Sequence, residues 1–215
     1  MEIAMIFDLD GTLLDTLQDL HDAVNYALAQ FGYPARTLEE VRQFVGEGAG
    51  KLMERAVPEG ADPEPVLSTF RTYYAAHTQV KTKPYPGIPQ ALEILRRKYP
   101  LAVVSNKPDE AVKILGKAYF PGLYARGEAP DCPRKPNAAM VHKTMEALGV
   151  KGCIYIGDSQ VDVQTAKNAG VPCLSVTWGF RNLNCLKAAG ATHFCHTPED
   201  LPRMLETMKE EYYGQ

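Results

Sequence analysis

The 215-residue sequence has no uninterrupted apolar run near the ~20 residues that a membrane-spanning helix requires. An excess of either charge is also missing: 23 Lys+Arg stand against 26 Asp+Glu, a formal net charge of −3. That balance argues against a dedicated nucleic-acid binder, whose hold on phosphate backbones depends on surplus Lys and Arg. It leaves room for a small phosphorylated ligand, which needs only a few placed cations. Cysteine is sparse. Cys132, Cys153, Cys173, Cys185 and Cys195 are odd in number and contain no C-x-x-C pair, which argues against a disulfide framework and against a zinc ribbon. His193-Phe194-Cys195-His196 gathers metal-ligand types, but no second ligand group stands near it, and it reads as structural. The opening residues 1–8 carry neither a basic segment nor a small-residue cleavage site, so the expected location is cytoplasmic.

What is present is an ordinary globular composition, 45% hydrophobic and 23% charged, in a chain long enough for one large domain or two small ones. Short apolar runs at Ile3–Phe7, 101–104, 153–156 and Cys173–Val176 read as buried parallel strands, with a weaker candidate at 122–126. Helical patterns lie between most of them. One runs from Asn137 through Leu148 to Gly149, another follows Asp162 and stops at Gly170, and a third near Leu186 stops at Gly190. The alternation predicts an α/β fold, a Rossmann-like doubly wound parallel sheet.

From Thr16 to Lys83 no strand is evident. Leu17, Leu20, Val24, Leu28 and Phe31 recur at helical spacing, and Thr37-Leu38-Glu39-Glu40 matches a capping box. A glycine-rich loop at 46–50 precedes Leu52, Met53 and Val57; a last helix sets Val66, Leu67, Phe70 and Tyr74 on one side. Pro84, Pro86 and Pro89 mark the return to the sheet. The expected organisation is a core of residues 1–15 and 84–215 with an all-helical insert at 16–83.

In an open parallel sheet, ligands bind beyond the carboxyl ends of the strands. The first strand is followed by Asp8-Leu9-Asp10-Gly11-Thr12, the 101–104 run by Ser105-Asn106-Lys107, and the 153–156 run by Gly157-Asp158-Ser159 and then Asp162. Lys135 precedes the helix leading into the last of these. If these ends converge, four carboxylates share one site. Two unit charges ~4 Å apart repel by about 4 kcal/mol even at an effective dielectric of ~20, so a bound cation or retained protons must relieve them. A Mg²⁺-type ion suits such hard oxygen ligands and keeps room for a substrate phosphate.

These residues closely resemble the haloacid-dehalogenase-like hydrolase superfamily over essentially the whole chain. Asp8-Leu9-Asp10-Gly11-Thr12-Leu13-Leu14-Asp15-Thr16 resembles its first motif, Ser105 the second, Lys135 the third and Gly157-Asp158-Ser159-x-x-Asp162 the fourth. The helical insert is similar to the superfamily's C1 cap, and within the superfamily the sequence is most similar to phosphoglycolate phosphatases. The resemblance implies that Asp8 is a nucleophile and Asp10 a general acid/base. It also implies that Mg²⁺ is held by Asp8, Asp158 and the main-chain carbonyl of Asp10, with Asp162 supporting them. Ser105, Asn106 and Lys135, with main-chain groups near Gly11 and Thr12, would hold the phosphoryl oxygens. The partner expected is a small phosphorylated metabolite, with no nucleic acid and no membrane, for a monomer or homodimer.

The 46–51 loop is expected to touch the leaving group through Gly48, with Lys51 pairing a substrate carboxylate. Trp178-Gly179-Phe180 is expected to pack. Pyrophosphatase, nucleotide phosphatase and sugar-phosphate mutase activities remain alternatives. Thr12 stands where mutases usually have a β-branched apolar residue. A phosphonatase would need a cap lysine such as Lys51 or Lys81 for a Schiff base. A receiver-like signalling domain or a non-catalytic phosphate binder lies further off, since the receiver has no inserted cap.

Overall fold

Every side chain of β1 (Ile3–Phe7) is buried, and successive residues enter different apolar clusters. Ile3, Met5 and Phe7 pack with α5 (Ile88–Leu95), α6 (Asp109–Tyr119) and α10 (Leu201–Tyr213). Ala4 and Ile6 pack with α7 (Ala139–Leu148) and α8 (Gln160–Ala169). The two-residue alternation of a strand therefore feeds two helical layers, which is why the run reads as continuously hydrophobic. This computed structural model describes residues 2–130 and 132–214, so the outermost positions of the expected core, 1 and 215, lie outside it.

The main sheet has six parallel strands in the order β5-β4-β1-β6-β7-β8. They are β4 (Leu101–Pro108), β5 (Tyr124–Glu128), β6 (Gly152–Gly157), β7 (Cys173–Val176) and β8 (His193–Cys195), beside β1. From β1 the chain builds outward through β4 and β5, then crosses back to β6 on the other side of β1. The reversal falls between β1 and β6, where a crevice opens beyond the strand ends.

Some boundaries differ from the sequence reading. β4 continues to Pro108, so Ser105, Asn106 and Lys107 close the strand instead of following it. The weak candidate at 122–126 becomes β5, two residues later. The helix expected after Asp162 starts earlier, because Ser159 caps it and Asp162 reaches back as the third residue of a capping box. β8 has no counterpart in the sequence pattern, and it disperses the His193–His196 cluster. His193 Nε2 faces Glu211 at 3.4 Å, Cys195 is buried and donates to the Thr197 carbonyl, and His196 Nδ1 lies 3.0 Å from Thr177 Oγ1.

The 16–83 segment holds α1 (Leu17–Gln30), α2 (Leu38–Phe44), α3 (Gly48–Ala56) and α4 (Pro63–Ala76), packed around a separate cluster that includes Leu20, Val24, Leu28, Met53, Val66 and Phe70. The Thr37–Glu40 capping box is formed, with Glu40 N–H on Thr37 Oγ1 at 3.2 Å and Thr37 N–H on Glu40 Oε2 at 2.7 Å. The chain enters this unit through β2 (Leu14–Asp15) and leaves through β3 (Lys83–Pro84), which pair antiparallel. Buried Asp19 fastens the exit to the entrance, accepting the N–H groups of Val80, Lys81 and Thr82 at 2.9–3.0 Å. Among the described residues no helix is long and apolar enough to cross a membrane.

Candidate active site

Asp8 directly follows β1, and its N–H donates to the Ile156 carbonyl at 2.8 Å, extending the β1–β6 ladder by one residue. Asp158 follows β6, and Asp162 lies in the first turn of α8. One carboxylate oxygen from each lies within 4.8 Å of the other two, and all three residues are buried. Lys135 Nζ sits among them, 2.8 Å from Asp8 Oδ1, 2.8 Å from Asp162 Oδ1 and 3.0 Å from the hydroxyl of Tyr155. Tyr155 does not stand out in the sequence, because from its strand position it reads as core.

Both oxygens of Asp158 and the second oxygen of Asp162 are held by donors. Asp162 Oδ2 accepts from Ser159 Oγ and N–H at 2.6 and 3.1 Å. Asp158 Oδ2 accepts the Phe180 N–H at 2.7 Å, and its Oδ1 accepts from Thr12 Oγ1 at 3.2 Å. These contacts need glycine nearby. Gly11 has φ +83°, and a Cβ there would fall 2.3 Å from Asp158 Oδ2; a Cβ on Gly179 would fall 2.3 Å from Asp158 Cβ. The Trp178–Phe180 segment therefore does more than pack. Trp178 Nε1 donates to the Thr12 carbonyl at 3.0 Å, while the Phe180 ring joins the helical unit's cluster.

Asp10 has different partners, its Oδ1 lying 2.6 Å from Thr16 Oγ1 and 3.1 Å from Lys107 Nζ. Its carboxylate is not part of the three-acid group; the expectation placed its carbonyl, not its side chain, at an ion. Asn106 braces Lys135, its Oδ1 accepting Lys135 N–H at 2.7 Å and its Nδ2 donating to the Lys135 carbonyl at 3.0 Å. Asn106 Nδ2 also reaches the Gly46 carbonyl of the helical unit at 3.1 Å. Ser105 Oγ accepts the Lys107 N–H at 3.2 Å.

Asp8, Asp10, Ser105, Asn106, Lys135 and Asp158 face one cavity of about 620 Å³ between the sheet and the helical unit. Gly46, Gly48, Ala49 and Leu52 line it from above, with Phe70, Arg71 and Tyr74 of α4. Lys51 does not. It is half exposed and pairs with Glu54, away from the residues that line the cavity, and so does not stand where the expectation put it, against a substrate carboxylate. At about 3.6 residues per turn, the face carrying 48, 49 and 52 turns position 51 aside. Lys81 is also exposed, pairing with Asp22 at 2.7 Å, so neither lysine is placed to form a Schiff base in the cavity. Arg181, absent from the sequence reading, spans from the core to three carbonyls at the end of α2: Arg42 at 2.7, Gln43 at 3.1 and Val45 at 2.6 Å.

The charge balance of the site is unfavourable as it stands. Burial pushes the Asp8 carboxyl well above the ordinary carboxylate range; Lys135 opposes this, and Asp162 and Asp158 add to it. Burial, with Asp162 beside it, pushes Asp158 up to about 7. Burial also works against charge on Lys135, yet Asp162 and Asp8 hold its ammonium well above lysine's usual range. Asp8 Oδ1 is buried without a hydrogen-bond donor, because Lys135 approaches it off the bonding direction. An orphaned carboxylate oxygen beside two further acids is a donor set that fits a hard divalent cation.

Comparison with known proteins gives this geometry a family. The description of the haloacid dehalogenase-like hydrolases matches residues 5–176. The chain belongs to that family. Among the relatives of this haloacid dehalogenase-like hydrolase, phosphoglycolate phosphatase of Rhodobacter capsulatus is 37% identical over 206 residues, covering 90% of this chain and 93% of that one. The phosphoglycolate phosphatase of Aquifex aeolicus is 35% identical, over 84% of this chain and 87% of its own. A candidate phosphoglycolate phosphatase from Lactobacillus delbrueckii subsp. bulgaricus, of known crystal structure, superposes with a TM-score of 0.89 at 39% identity, over 95% and 99% of the two chains.

Proposed function

We propose that this hydrolase is a Mg²⁺-dependent phosphomonoester phosphatase acting on a small phosphorylated metabolite, phosphoglycolate first among them, with residues 16–83 as the cap over its site. The observation that carries the reading is a second carboxylate, Asp10, beside Asp8 on the same cavity. Displacement at phosphorus needs both a nucleophile and a proton donor for the leaving alkoxide. The names of the relatives at 35–37% identity support the substrate class.

In this mechanism an Asp8 oxygen attacks phosphorus in line, the P–O bond to the leaving group breaks, and Asp10 passes its proton to the departing alkoxide. Water then gives a proton to Asp10 and attacks the aspartyl-phosphate, releasing inorganic phosphate and regenerating Asp8. Asp8, Asp158 and the Asp10 carbonyl, supported by Asp162, would hold Mg²⁺, which when bound neutralises the acids and the phosphoryl oxygens. Lys135, braced by Asn106, directs its ammonium at the same oxygens, and Ser105 closes the cradle from β4.

The test is phosphate release from a panel of phosphorylated metabolites with Mg²⁺. The wild type should turn over, chelator should stop it, and Asp8→Asn should be almost inactive and form no acid-stable phosphoprotein. Equal turnover by Asp8→Asn would remove Asp8 from the nucleophile's role.

A further inference from the structure

Lys107 is not accounted for by any step above, and its burial demands a reason. Its side chain is 3% exposed, and an ammonium out of water is costly unless paired and hydrogen-bonded. Its two partners come from different parts of the molecule. Asp10 Oδ1 of the core lies 3.1 Å from Nζ, and the Tyr74 hydroxyl of α4 lies 2.8 Å from it, with the Tyr74 ring centroid at 4.6 Å. Thr16 Oγ1 donates to that same Asp10 Oδ1 at 2.6 Å. Both donors therefore converge on one oxygen, and Asp10 Oδ2 has no hydrogen bond among the described residues.

The geometry points to Lys107 as a positioning residue: it pins Oδ1 of Asp10 so that Oδ2 is left as the working oxygen, and Tyr74 ties this arrangement to the cap. The acid/base group is then set in place only when α4 lies over the site. Proton transfer depends on hydrogen-bond reach, so a carboxylate free to rotate loses rate without losing substrate. Tyr74 is itself held by the Phe70 ring, stacked at 5.3 Å, so its hydroxyl can be removed with its packing left in place.

The inference rests on the acid/base reading of Asp10, and the experiment separates the two. Lys107→Met should lower kcat on phosphoglycolate by about tenfold or more with KM little changed, and Lys107→Arg should recover part of the loss, as for a misplaced general acid. Tyr74→Phe should lower kcat by less, and the double variant should be no worse than Lys107→Met alone, the non-additivity of groups acting through one contact. A KM rise at unchanged kcat would make Lys107 a substrate ligand and overturn the proposal, as would additive effects of the two substitutions. A crystal structure of Lys107→Met decides the point whatever the turnover. Asp10 rotated away from its Oδ1 position supports the inference; Asp10 unmoved refutes it, even if the phosphatase reading stands.

Discussion

Replacing Asp158 by asparagine removes one negative charge from the buried acids with almost no change of shape. The Phe180 N–H can still donate to the amide oxygen, and the Thr12 hydroxyl can turn to accept from the amide nitrogen. In metal-free wild type the Asp158 carboxyl is pushed up to about 7 from an ordinary 3.8. Between these values the folded chain binds a proton that the unfolded chain has released, so stability falls as pH rises through the window. At 1.36 kcal/mol for each pH unit, Asp158 alone costs the metal-free protein about 4 kcal/mol by pH 8. Asp8, shifted in the same direction, adds to that fall. Exposed acids held low by partners, such as Asp22 and Glu206, change stability in the opposite sense, but they are common to both proteins and cancel in the comparison. Urea unfolding in chelator should therefore find Asp158→Asn close to wild type near pH 4 and more stable by a few kcal/mol at pH 8. Mg²⁺ should narrow that gap, since a ligand at 100 times its Kd stabilises by about 2.7 kcal/mol and only the wild type retains the full site. A difference between the two proteins that does not vary with pH would refute the account of the buried acids.

Asp10→Asn should keep Mg²⁺-dependent stabilisation in thermal unfolding yet lower turnover of phosphoglycolate by about 10²–10⁴, the usual worth of a general acid/base; an unaffected rate would reject its role. Lys51→Ala should leave kcat/KM on carboxylated substrates within about twofold of wild type, as expected for an exposed pair, and a selective loss would return Lys51 to the site. Met53→Ala, emptying a fully buried position of the helical unit, should destabilise by about 2–5 kcal/mol in denaturant unfolding, and a smaller effect would show that the cluster collapses around the gap.

The sheet is legible in the sequence because β1 and β6 are covered on both faces, and burial of both faces leaves no position on either strand for a charged residue. The strand ends then indicate where Asp8, Asp158 and the Ser105–Lys107 stretch converge. Less visible are β2, β3 and β8, two or three residues each, whose pairing is decided by neighbours far along the chain and not by their own composition. Lys107 is in view as a residue after a strand, yet its partner Tyr74 is 33 positions away on a helix, and only the tertiary structure joins them. Lys51 misleads for a complementary reason. A glycine-rich loop marks where a helix starts but not which way its fourth residue points, and 46–51 meets the cavity through Gly46, Gly48 and Ala49. Arg181 carries no local signal at all, since the carbonyls it binds lie 136 to 139 residues earlier.

The β2–β3 pair sets Leu14 against Pro84 and Asp15 against Lys83, so the chain departs from the catalytic floor and rejoins it at one spot. An excursion anchored this way can lengthen, shorten or be exchanged without disturbing the order of the strands beneath. On the proposed reading, the helices above the cavity could be changed while the strand ends below it keep their geometry.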